Sequence, residues 1–141
     1  PGRLDDAEMT TMRTHVAQGE NIVGGIAWLE GANAVVAGHH EKWNGSGYPR
    51  SLAAETIPLA ARIFAVADVF DALCSKRPYK EPMGFEAAMA ILEKDTGSHF
   101  DPSVMDAFRA IARKTFDRLA QVSEDEARTL MEDRVRVHFG M

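Results

Sequence analysis

The chain has 141 residues, 45% of them hydrophobic and 26% charged, the balance of one soluble domain with a modest core and not of a disordered tail. Its formal net charge is −5 with neutral histidines, which argues against bulk binding along a nucleic-acid backbone. A small anion held by a few local cations or metals stays compatible with that charge. The single cysteine, Cys74, rules out an intramolecular disulfide and fits a reducing cytoplasm. With one Cys and five His, imidazole and carboxylate are the donors left for any metal. No apolar run approaches the ~18–20 residues of a membrane span. The chain opens Pro1-Gly2-Arg3, without an initiator Met or a signal-peptide pattern, and reads as a trimmed piece of a longer protein.

The periodicity is helical almost throughout. Asp5 to Glu8 has the spacing of a helix N-terminus, and Met9, Met12 and Val16 follow at helical intervals. Gly19 marks a weak point. Ile22, Val23, Ile26 and Leu29 restart the stripe, with Gly31 as its stop, and Ala32 to His40 forms a short helix. From Glu41 to Ile57 the period is lost, and Gly45, Gly47 and Pro49 predict a long, shaped loop. Pro58 suits the first turn of a helix to about Ser75, with an apolar face of Leu59, Ile63, Val66, Phe70 and Leu73.

Lys76 to Met83 is a second polar loop. Phe85 to Lys94 is helical, Gly97 to Pro102 turns, and Val104 to about Leu119 is helical again. Ser123 with Glu126 has the form of a capping box for a last helix to about Asp133. Val135, Val137 and Phe139 alternate as a short strand would. The sum is an all-α bundle.

Four features carry chemistry. His39-His40 lies at a helix end beside the glycine-rich loop. Neighbours on a regular helix point about 100° apart, so the pair would serve two adjacent ions, or one ion and a substrate, unless it is only a surface pair. Asp68, with Asp71 three residues on, sits in an apolar helix and needs a partner. That partner is either Arg62 or Arg77 in an ion pair, or a metal, with Asp71 orienting the ligand. His15 gains meaning only in company with these, since three His and one carboxylate suit Fe, Mn, Zn or Ni. The fourth feature is Trp43 to Arg50 together with Arg77-Pro78-Tyr79-Lys80. There Gly47 allows close backbone approach, Tyr48 offers a flat face for a base, and Arg77 and Lys80 offer cations for phosphate. Together these point to hydrolysis of a nucleotide phosphate ester.

The stretch His39-His40-Glu41-Lys42-Trp43-Asn44-Gly45-Ser46-Gly47-Tyr48-Pro49 resembles the signature of the HD-GYP family, a branch of the HD phosphohydrolases. Met12-Arg13-Thr14-His15, Ile57 to Ile63, Ala67 to Leu73, Arg77 to Lys80 and Gly97 to Pro102 fit the same pattern, so the resemblance covers about residues 1–110. It implies a helical HD-type bundle with two or three divalent metals. It also implies hydrolysis of cyclic di-GMP to pGpG or GMP. By position, His15, His39, His40 and Asp68 match metal ligands. Gly47, Tyr48, Arg77 and Lys80 match substrate-binding positions. The His-Asp dyad that names the superfamily, with its Lys, is absent, so the catalytic residues it supplies are unassigned and the domain reads as N-terminally truncated.

The expected organisation is an HD-GYP-type domain over residues 1–119 and a C-terminal helical extension over 120–141. The expected setting is a bacterial cytoplasmic signalling protein of two-component type, with a sensory or receiver domain upstream. The other reading is a non-catalytic module that senses cyclic di-GMP or docks a GGDEF cyclase through Gly47, Tyr48 and Pro49. A fragment lacking its first helices should also self-associate through uncovered apolar surface.

Overall fold

The computed structural model describes residues 6–26, 29–76 and 80–121, together with Glu126, Arg128, Thr129, Glu132 and Arg136. Five α-helices follow in order: α1 Asp6–Val23, α2 Glu30–Gly38, α3 Leu59–Cys74, α4 Phe85–Lys94 and α5 Pro102–Gln121. Among the described residues the fold is all-α, and Thr96 and Phe100 form an isolated bridge. The chain divides into two compact units, Pro1–Phe108 and Arg109–Met141, with the boundary inside α5.

The first unit contains the helices that frame the site. Packing against each other are α1 and α2, α2 and α3, and α3 and α4. Its core is built from Val16, Ala61, Val66, Phe70, Leu92 and Phe100, all nearly fully buried. Phe70 meets Phe108 edge to face at 5.0 Å. Two glycines set how closely the first three helices approach. A Cβ on Gly19 would lie 2.7 Å from Val36 Cγ1, and one on Gly38 would lie 2.9 Å from Ala61 Cβ. Gly19, read from the sequence as a weak point, is therefore a helix-crossing point within a continuous α1.

Other expectations also shift. The first helix stops at Val23, and Gly24-Gly25 makes the turn, while Gly31 lies inside α2. The glycine pair supplies a sharper break than a single glycine in an apolar stripe. On α3, Val66 and Phe70 are buried as predicted, but Leu59 and Ile63 are 54% and 51% exposed, and Phe64 is 42% exposed. The small residues Ala61 and Ala65 take the inward positions instead, which lets α2 and α3 pack closely.

Asp5, Arg77, Pro78, Tyr79 and Ser123 lie outside the described residues, as do Val135, Val137 and Phe139. Arg136 is helical, which contradicts a strand through that position.

Candidate metal and phosphate site

Three imidazoles meet where α1 and the end of α2 come together. His15 stands on α1, His39 caps α2 in helical conformation, and His40 follows in the turn. Their ligating nitrogens all lie within 4.8 Å of one another. His40 Nε2 is 3.0 Å from His15 Nε2, and the ring centroids of His39 and His40 are 4.0 Å apart. The last residue of α2 is Gly38, so His39 as its cap and His40 in the turn beyond lie past the regular helix, and both rings turn into one cluster.

His39 Nδ1 lies 3.1 Å from the Val35 carbonyl and 3.0 Å from that of Val36. A proton on Nδ1 donates to those oxygens and leaves Nε2 with a lone pair for a cation. The His40 pKa is pushed down to about 4, first by burial and then by His39 and His15, against the pull of Asp68. A neutral imidazole is the ligating form.

The donor set fits a divalent metal. Two nitrogens bound at about 2.1 Å to one ion, at right angles, stand about 3.0 Å apart, which is the His15–His40 spacing. Asp68 is exposed on α3 and lies outside the three-histidine group, although its charge acts on His40. It has no pairing with Arg62, which turns to Asp101 instead. Six residues along a helix amount to about 240° of rotation, so Arg62 and Asp68 occupy different faces of α3.

The loop after His40 is held from several directions. Glu41 is 2% exposed, and its two carboxylate oxygens accept the backbone N–H groups of Arg50 at 2.8 Å and Leu52 at 2.9 Å. Gly47 is buried against the loop's own start. A Cβ there would lie 2.4 Å from Lys42 N, 2.5 Å from Glu41 Cα and 2.6 Å from the His40 carbonyl oxygen. Tyr48 N–H donates to that carbonyl at 3.1 Å, and the Tyr48–Pro49 peptide is cis. The Arg50 guanidinium pairs with Glu20 of α1.

On the other side, Trp43 N–H donates to the His99 carbonyl at 3.0 Å and Asn44 N–H to that of Ser98 at 2.9 Å. Arg62 passes 5.9 Å from the Trp43 ring centroid and bonds Asp101 Oδ2 at 2.6 Å. Burial by itself would raise the Asp101 pKa, but hydrogen bonds from Ser103 and Arg62 outweigh it and hold the carboxyl below its usual range. Glu41, Arg62, Asp101 and His99 also line a water-sized cavity.

The sequence signal for these supports was weak. Arg62 was expected beside Asp68 and not Asp101, and Glu41 and Asp101 stood inside the resembling motifs with no role of their own. Tyr48 stacks on His40, with centroids 4.8 Å apart and planes 22° apart, and Arg13 Cζ lies 5.3 Å from its centroid. The expected open stacking face is thus a ring already in contact with an imidazole and a guanidinium. Lys80 is exposed, and its charge reaches Cys74. Arg77 lies outside the described residues.

Residues 1–104 match the family model described as HD domain. The chain belongs to the HD domain family, and the motifs that resemble the HD-GYP branch fall almost wholly within the matched span. It is 43% identical over 121 residues to a cyclic di-GMP phosphodiesterase of Vibrio cholerae, covering 81% of this chain and 25% of that protein. It is 46% identical over 109 residues to the cyclic di-GMP phosphodiesterase response regulator RpfG of Xanthomonas campestris, covering 76% of this chain and 29% of that one. The crystal structure of a cyclic GMP-AMP specific phosphodiesterase of Vibrio cholerae superposes with a TM-score of 0.71 at 22% identity, over 91% of this chain and 30% of that one. The likeness of that structure establishes a shared fold. The chain spans about a quarter to a third of the length of the curated relatives it matches.

Proposed function

We propose that this chain carries the histidine cluster and phosphate-binding loops of a metal-dependent cyclic di-GMP phosphodiesterase. The observation that carries the reading is the convergence of His15, His39 and His40, from two helices, on one cluster beside the Gly47–Tyr48 loop. His15, His39, His40 and Asp68 would hold divalent ions, two or three in number, drawn from Fe, Mn, Zn or Ni. Such ions supply Lewis acidity toward a phosphodiester and its attacking water.

The chain's own residues do the positioning. The His39 contacts with the Val35 and Val36 carbonyls fix its ring, and Tyr48 fixes that of His40. Gly47 brings the loop backbone against the cluster, and Arg77 and Lys80 steady charge on the phosphate. The product is pGpG or GMP. In this reading residues 1–119 are the C-terminal portion of an HD-GYP-type domain, without its dyad segment, and 120–141 a helical extension, within a bacterial cytoplasmic signalling protein that has a sensory or receiver domain upstream. Pro49 is exposed on the loop. That exposure favours a second reading, in which Gly47, Tyr48 and Pro49 dock a GGDEF-domain partner.

The test is hydrolysis of cyclic di-GMP by the complete metal-loaded protein, with 3′3′-cGAMP as the competing substrate. Cyclic di-GMP should be the better substrate. His39→Ala and Asp68→Ala should lose metal and turnover together, and residues 1–141 alone should turn over little. A metal-loaded complete protein that hydrolyses neither dinucleotide overturns the reading and leaves the docking module in its place.

A further inference from the structure

The guanidinium of Arg13 has an unusual situation. Arg50 pairs with Glu20, Arg62 with Asp101 and Arg113 with Asp117. Among the described residues, Arg13 has no carboxylate within ion-pair distance, and the contact it makes is with the Tyr48 ring, 5.3 Å from the centroid. Tyr48 in turn stacks on His40, whose Nε2 lies 3.0 Å from that of His15. An exposed arginine is thus tethered through one aromatic ring to the edge of the histidine cluster. A guanidinium over a ring face is steadied by the π-electrons while its N–H donors stay available. Beside three imidazoles that could hold a metal ion, such a cation attracts an anion.

We infer that Arg13 is a phosphate-binding residue of this site, its fork held by Tyr48 to meet a non-bridging oxygen of the cyclic dinucleotide. The inference rests on the proposed phosphodiesterase reading and adds to it a cation on α1, opposite in sequence to the Arg77–Lys80 segment. It assigns Tyr48 a positioning role, carrying Arg13 on the same ring that steadies His40.

The experiment measures equilibrium binding of a hydrolysis-resistant phosphorothioate analogue of cyclic di-GMP to the complete protein, by calorimetry at low and high salt. Metal content is assayed in parallel. Arg13→Ala should weaken binding roughly ten- to a hundredfold, as expected for one lost charge-assisted hydrogen bond, and flatten its salt dependence at unchanged metal content. Arg13→Lys should recover part of the affinity, because it keeps the charge and loses the fork. Where Arg13→Ala fails to fold, Arg13→Lys decides: weaker binding supports the assignment and wild-type binding overturns it. Wild-type affinity in Arg13→Ala overturns the inference alone. Loss of metal along with affinity also overturns it, since Arg13 would then act only by propping Tyr48. A wild-type protein that binds no analogue overturns both the inference and the phosphodiesterase reading.

Discussion

Replacing Asp101 by alanine should be among the most damaging single changes in the first unit. Its carboxylate is 2% exposed and satisfies three donors: Arg62 Nη1 at 2.6 Å, Ser103 N–H at 2.8 Å and Ser103 Oγ at 2.7 Å. The residue directly precedes α5, with Pro102 at the first helical position, so its side chain also caps that helix. Removing it strands a guanidinium whose side chain is 15% exposed, and breaking a buried pair in this way costs about 3–5 kcal/mol. The lost cap contributes about 1 kcal/mol within that range. Asp101→Asn keeps an acceptor for Ser103 and should cost less.

Urea denaturation followed by far-UV circular dichroism reads both variants, and equal slopes validate the comparison. The depressed Asp101 pKa adds a pH signature. Its contribution is fully present above the unfolded carboxyl's value near 3.9 and is lost as pH falls through the lower folded value. An Asp101→Ala midpoint shift worth under about 1 kcal/mol would show that the Arg62 pair is replaceable by water, and the argument for a buried clamp would fail.

Three further outcomes follow from the same geometry. Gly47→Ala should destabilise the protein by at least about 2 kcal/mol in a melting experiment, because the new Cβ meets backbone atoms at 2.4–2.6 Å and backbone cannot step aside as a side chain can; a melting temperature within a degree of wild type would contradict this. His99 is held below its ordinary pKa, first by burial and then by Lys42, against Asp95. Below pH 6.5 the unfolded chain therefore takes up a proton that the folded chain refuses, so stability falls with acidification, and His99→Gln should flatten that fall in pH-dependent denaturation. Leu59, Ile63 and Phe64 expose apolar surface along α3, so light scattering should show concentration-dependent self-association of residues 1–141, reduced by Ile63→Glu; an unchanged monomer across a wide concentration range would refute it.

Much of the helical architecture was legible from period and punctuation. Pro58 and the polar stretch after Ser75 bracketed α3 to within a residue at each end, and Phe85 to Lys94 matched α4. These boundaries are local events, in which a proline fixes φ or a run of apolar positions stops. The first two helices were misjudged because glycine has two uses. At Gly24-Gly25 it ends a helix, and at Gly19 and Gly38 it admits a neighbouring helix. One-dimensional spacing does not distinguish them, since the second use depends on what lies across the interface.

The same division runs through the site. Residue types and ordered motifs determined the family and the all-α class, and it was the resemblance of those motifs, more than the spacing of the imidazoles, that singled out His15, His39 and His40. Tertiary structure decided the rest. It turned His39 and His40 into one cluster by ending α2 at Gly38, just before them, and it gave Arg62 to Asp101 and not to Asp68. It buried Glu41 as the acceptor for two loop amides, and placed Tyr48 between His40 and Arg13 in a chain of contacts. A charged or aromatic side chain can reach several partners. Which one it meets is set by helix rotation and by the closure of the 41–57 loop, and those follow from packing between segments far apart in the chain.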